Sequence, residues 1–242
     1  MHIGIIGFGR FGQLLAKILK NKHQIKVFDN QEKLKAKAKS LGVIFTDLDE
    51  VYQQDLIILA VPISAIKNVL LLIKNKIPAS SIIMDVCSVK EYPVNLMTKI
   101  LSRKTQILAT HPMFGPDSAK CGLKDSQMVF CPIRIKKEAY GKIKQLFQRL
   151  GLKIIETTPA EHDRQNALSL ALVHFIGRGL EKMNIKTQAL TTLGFERLLK
   201  VCETVTNDTW QLFKDMQTYN RFAKPIRKKF MKAMEAIDKK VK

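Results

Sequence analysis

Along the first two thirds of the chain, short apolar runs alternate with longer amphipathic stretches. The runs at 2–6, 25–28, 56–60, 81–85, 107–110, 128–132 and 153–156 are predicted as strands. They are strand-length and bounded by turn residues. Helical spacing fills 11–20, 31–41, 64–75, 93–101 and 136–150. Strands alternating with helices predict an α/β fold built on a parallel, doubly wound sheet.

The pattern changes after Thr158. Pro159, Ala160 and Glu161 read as a helix start, and helical periodicity then runs through 161–183, 194–219 and 224–241. Residues 184–193 break the first two stretches, and Pro225 marks the start of the third. The expectation is an N-terminal dinucleotide-binding domain over 1–158 and a smaller all-α substrate and dimerisation domain over 159–242. Fewer than 90 helical residues make a thin core, so pairing with a second copy is expected.

Gly7, Gly9 and Gly12 form GxGxxG directly after the first predicted strand and directly before a helix. That context makes the motif a Rossmann fingerprint. Gly7 permits the tight turn, Gly9 lets backbone approach a pyrophosphate, and Gly12 lets helix and strand pack closely. The helix N-terminus then offers free N–H groups to the phosphates. Phe8, Arg10 and Phe11 within the turn are taken as cofactor-binding with the glycines, as is Val61 after the 56–60 strand. Asp29 follows the second strand, where an acidic residue bonds ribose hydroxyls. Its charge repels a 2′-phosphate, which favours NAD; Lys33 and Lys35 keep NADP as the alternative.

Composition narrows the picture. The chain has 242 residues and is 46% hydrophobic, enough for a sizeable core. No apolar run reaches the roughly 18 residues of a membrane span, and no secretory signal is read, so a cytoplasmic protein is expected. Cys87, Cys121, Cys131 and Cys202 form no CxxC and no metal spacing. They read as reduced thiols, and no metal site is expected. The net charge of +20 invites a nucleic-acid reading. The lysines cluster mainly in 33–39 and 224–242 at helical spacing, with no interleaved aromatics. They read as a solvated surface that attracts anionic ligands at long range. No nucleic-acid or membrane partner is expected.

Two predicted strand ends carry polar clusters: Asp85-Val86-Cys87-Ser88-Val89-Lys90 and Thr110-His111-Pro112-Met113-Phe114-Gly115-Pro116. Ligands of open α/β sheets bind beyond the carboxyl ends of strands. His111 is expected in a loop stiffened by Pro112, Gly115 and Pro116. There it could take a proton from a hydroxyl or bond backbone in a turn. In the helical region, Glu161-His162-Asp163-Arg164 opens a helix. His174 and Arg178, four apart, share one face of it.

These segments together resemble the prephenate/arogenate dehydrogenases of tyrosine biosynthesis, most nearly the plant-type arogenate dehydrogenases. The stretches that carry the likeness are the glycine turn, DVCSVKEYP at 85–93, THPMFGPDSAKCG at 110–122, EHDRQNALSLALVHFIGRGLEKM at 161–183 and GFERLLKVCETVTNDTWQLF at 194–213. The resemblance implies an oxidative decarboxylation. Hydride passes from the carbon bearing the 4-hydroxyl to the nicotinamide, CO2 leaves, and the ring becomes aromatic. It implies that His111 accepts the hydroxyl proton and that Ser88 orients the hydroxyl or the imidazole. It also implies that His174 lies against substrate or nicotinamide, with His162 structural.

The departures concern carboxylate binding. Where many bacterial members have an Arg, this chain has Lys200, with Arg197 one turn earlier. Lys supplies charge without bidentate geometry. Arg178 is a further cationic candidate, and Leu170 stands where plant-type members have Gln. Asp208 matches an acidic position of members that use arogenate, whose side-chain ammonium a carboxylate can pair with. The plant-type enzymes generally prefer NADP, against which Asp29 argues. The helical region runs to Lys242, so no fused regulatory domain is expected. The rival readings are a β-hydroxyacid-type dehydrogenase using Lys182, and a non-enzymatic dinucleotide- or nucleic-acid-binding protein.

Overall fold

A computed structural model describes residues 1–241; the chain divides into two compact units, Met1–Pro159 and Ala160–Lys242. The first unit holds an eight-stranded sheet in the order β3-β2-β1-β4-β5-β6-β7-β8. The strands are β1 (His2–Ile6), β2 (Gln24–Phe28), β3 (Ile44–Phe45), β4 (Leu56–Leu59), β5 (Ile82–Asp85), β6 (Gln106–Pro112), β7 (Gln127–Arg134) and β8 (Lys153–Glu156). Six helices connect them: α1 (Arg10–Leu19), α2 (Lys35–Leu41), α3 (Leu48–Val51), α4 (Ile66–Ile73), α5 (Glu91–Ile100) and α6 (Lys137–Gln148). Every residue of β4 and β5 is buried, as expected where helices cover both faces of a parallel sheet. The core runs from Ile3, Ile5 and Leu15 to Phe130, Phe147 and Leu152.

Strand order reverses between β1 and β4, which creates the switch point where such sheets bind ligands. The sheet departs from the all-parallel expectation at one place: β6 and β7 pair antiparallel, and β7 and β8 are parallel to each other. That pairing also lengthens β6. His111 pairs with Val129 and Pro112 with Met128, so His111 is the penultimate residue of a strand and not in a loop. β3 and α3 have no counterpart in the sequence reading, because two and four residues are too short to establish a period.

The second unit is helical: α7 (Pro159–Asn166), α8 (Val173–Lys182), α9 (Leu193–Thr206), α10 (Trp210–Tyr219) and α11 (Ala223–Asp238). Two predicted helices are interrupted. Between α7 and α8, Ala167–Leu172 form a π-helical segment. The residues there, ALSLAL, are mostly apolar and give no phase signal. The predicted 194–219 helix breaks after Thr206. Thr209 restarts it by accepting a hydrogen bond from Leu212 N at 3.1 Å. Asn207 and Asp208 at the break favour turns over helix interiors.

Candidate active site

The glycine turn is built by two different constraints. Gly7 has φ +97°, and a Cβ there would lie 2.4 Å from Ala60 O and 2.9 Å from Val61 Cγ1. A Cβ on Gly12 would lie 2.1 Å from Gly7 O. Both glycines are therefore required by the protein's own packing across the switch point. Gly9 is not: its φ of −65° suits any residue, and no described atom lies within 4 Å of where its Cβ would be. Its missing side chain leaves room for something outside the chain. Gly9 is also the N-cap of α1, with no side-chain cap and no acidic residue in the first turn. The turn thus presents uncapped N–H groups beside open space, the arrangement a phosphate needs.

Asp29 braces this turn. Its Oδ2 accepts from Phe8 N at 2.8 Å and its Oδ1 from Gln31 N at 3.0 Å. Phe8 has its side chain fully buried in the core and its N–H given to Asp29, which corrects its assignment as a cofactor-lining residue. It supports the turn from beneath. Val61 packs on Gly7 and is half-buried.

The carboxyl ends of β5 and β6 carry the polar clusters. Asp85 and Ala109 form the last pair of their parallel ladder. Ser88 follows the end of β5 in the turn before α5, and His111 is the penultimate residue of the adjacent β6. His111 is 6% exposed. Ser88 Oγ is buried without a hydrogen-bond partner among the described residues. Beside them Lys90, fully buried, donates to Asp85 Oδ2 and to Thr110 O.

Residues 113–126 connect β6 to β7 and reach the glycine turn. Arg10 pairs with Asp117 at 2.7 Å, and the Phe11 and Phe114 rings lie 6.2 Å apart. The segment after His111 is thereby tied to the segment after Gly9.

In the helical unit His162 is satisfied on both sides. Its Nδ1 lies 2.8 Å from Asp163 Oδ1 and its Nε2 accepts from Asn166 Nδ2 at 2.8 Å. It is a structural histidine of a buried network. His174 is 5% exposed, and its Nδ1 has no partner among the described residues. Burial, with the nearby Arg178 charge second, pushes its pKa down to about 4. Arg178 donates to Asp208 O at 2.5 Å and to Glu181 at 3.0 Å, and its guanidinium lies 5.4 Å from the Trp210 ring centroid. His174, Arg178, Asp208 and Trp210 therefore form one cluster. The wide π turns advance the helix more slowly than α turns would, which rotates His174 back toward the face of His162. Arg197 and Lys200 are exposed on α9, and Lys200 pairs with Glu203 at 3.4 Å. They are not part of that cluster.

Residues 15–156 match the family model of the prephenate dehydrogenase nucleotide-binding domain. The chain is 31% identical to arogenate dehydrogenase 2, chloroplastic, of Arabidopsis thaliana, over 100% of its own length and 70% of the relative's. The chain belongs to the prephenate/arogenate dehydrogenase family. A second member, arogenate dehydrogenase 1, chloroplastic, of the same plant, is 35% identical over 98% of the chain, which spans 38% of that relative's length. Residues 179–242 match a second model, the TYRAAT1-like C-terminal domain. The fold is that of family member prephenate dehydrogenase from A. aeolicus, solved with hydroxyphenyl propionate and NAD+. That structure superposes with a TM-score of 0.80 at 18% identity, covering 100% of this chain and 90% of that one. The model match takes in β4–β8, and with them Ser88 and His111. Among the described residues no group of three or more His, Cys, Asp or Glu is arranged to hold a metal, and no helix is long and apolar enough to cross a membrane.

Sequence reasoning missed the Lys90–Asp85 pair. Both residues stood in the quoted DVCSVK segment, but a lysine near a strand end carries no signal of burial. Trp210 was also missed; a tryptophan after a Thr-capped helix start had no stated role.

Proposed function

We propose that the chain catalyses the oxidative decarboxylation of arogenate, with prephenate as the alternative substrate, using NAD in preference to NADP. The observation that carries the reading is the placing of Ser88 and His111 just past the last ladder pair of two adjacent strands, in a sheet whose uncapped glycine turn meets open space at Gly9. The residues fit a dinucleotide: the Gly7–Gly12 turn and the N-terminus of α1 would hold its phosphates, and Asp29 its ribose. When bound, the dinucleotide accepts a hydride. His111 accepts the proton of the substrate's 4-hydroxyl, and Ser88 orients that hydroxyl. Arg178 and His174 bind substrate, with Arg197 and Lys200 as secondary cationic candidates for its carboxylates. Asp208 pairs with the ammonium that distinguishes arogenate.

Formation of reduced cofactor, followed at 340 nm with each substrate and each cofactor, tests the reading. Turnover is expected to be fastest with arogenate and NAD; no reduction with any of the four pairs rejects it. A β-hydroxyacid-type dehydrogenase leaves the His111 segment without a role.

The reading includes a homodimer and a cytoplasmic setting. The helical unit exposes Trp210, Met231, Met234 and Ile237, apolar surface that a second copy would cover. A stable active monomer by light scattering argues against the dimer. None of the four cysteines forms a disulfide among the described residues, which suits a reducing compartment.

A further inference from the structure

We propose that the buried ion pair Lys90–Asp85 is a positioning device that sets Ser88 and His111 relative to each other. The proposal rests on the functional reading above. Both side chains are fully buried. A buried ion pair is a poor filler of space, because desolvation offsets much of its attraction and apolar residues of like volume are often as stable. Its bonds point to a different job. Lys90 Nζ donates to Asp85 Oδ2 and to Thr110 O. Asp85 Oδ2 also accepts from Cys87 N at 3.0 Å, and Thr110 Oγ1 donates to the Asp85 main-chain oxygen at 2.6 Å.

Cys87 directly precedes Ser88, and Thr110 directly precedes His111. The pair therefore fastens the residue before each of the two. It does so where the backbone ladder gives out: β5 and β6 are last paired at Asp85 and Ala109. Beyond that register, side chains continue the connection between the strands. Lys90 and Asp85 touch no reacting atom in this scheme and are positioning residues.

Two variants test this. Lys90→Met keeps length and volume. The double variant Asp85→Asn with Lys90→Met removes both charges, so that no buried charge is left alone to unfold the chain. In the folded variant, kcat should fall roughly 10- to 100-fold, as a displacement of about 1 Å at a reacting centre does. KM for NAD should stay within about twofold, because the glycine turn is untouched. The His111 imidazole resonances in 13C-histidine spectra should move; they are assigned among the five histidines by their loss in His111→Asn. If Lys90→Met does not fold, the double variant carries the test. A folded variant whose His111 resonances stay in place overturns the proposal, whether or not kcat falls. So does a fall in melting temperature with kcat unchanged. If the wild type turns over no substrate, the functional reading fails, and the His111 resonances alone decide the positioning role.

Discussion

His174 Nε2 lies 3.8 Å from Asp208 Oδ2, yet the two are not an ion pair. The distance exceeds a hydrogen bond. Burial, with Arg178 second, holds the ring pKa near 4, so His174 is neutral at physiological pH. The carboxylate thus faces an uncharged ring.

A pH effect on stability follows. The folded ring resists a proton that the unfolded chain takes up below its ordinary value of 6.5. Above that value His174 contributes no pH dependence. Between about 6.5 and about 4 stability falls, by up to about 3 kcal/mol. Denaturant melts at pH 7 and pH 4.5 measure the loss. In His174→Phe that part of the loss should vanish.

His111→Asn removes the proton acceptor and keeps a similar volume. Turnover should fall at least a hundredfold, while NADH affinity stays within about twofold. Stopped-flow turnover and fluorescence titration of NADH separate the two, and unchanged turnover rejects the role.

Asp208→Asn should shift preference from arogenate toward prephenate by roughly tenfold in the ratio of kcat/KM values. Its main-chain oxygen still accepts from Arg178, so the cluster should survive. An unmoved ratio shows that Asp208 is not the selector.

Alanine at two glycines should separate folding from binding. Gly12→Ala puts a Cβ against Gly7 O and should cost about 1–3 kcal/mol in a thermal melt. Gly9→Ala meets open space and should leave stability within about 0.5 kcal/mol. It should nevertheless weaken NADH roughly tenfold, about 1.4 kcal/mol. Equal affinity in Gly9→Ala argues that no ligand sits at Gly9.

Asp29→Ser should raise the NADP-to-NAD ratio of kcat/KM. It should also cost about 1 kcal/mol, because Phe8 N loses its acceptor. Equal loss with both cofactors assigns Asp29 to the turn alone.

The α/β order, the glycine turn and the placing of Ser88 beyond a strand end were legible in the sequence, because each rests on local period or local turn chemistry; His111 was expected in a loop and lies inside β6. The reversal of β7 was not. Its residues read as a strand in either direction, and direction is decided by pairing with β6, which is tertiary. The π segment was hidden because 167–172 is mostly apolar in any phase. The buried Lys90–Asp85 pair was hidden for a related reason. Lysine is normally a surface residue, and the converging Thr110 carbonyl and Asp85 carboxylate, which offset its burial, come from tertiary structure. Exposure likewise separated Arg178, held in the His174 cluster, from Arg197 and Lys200, which have the same charge and no such surroundings.

The antiparallel return of β7 has one more consequence. A crossover to another parallel strand would have carried the chain to the far rim of the sheet. Because β7 doubles back, residues 113–126 begin and end on the rim where Ser88 and His111 sit. They form an awning anchored at Arg10–Asp117 and Phe11–Phe114. Its exposed residues Ser118, Lys120, Cys121 and Gly122 lie outside every strand ladder, so recognition at this rim can be retuned there while the scaffold stays fixed.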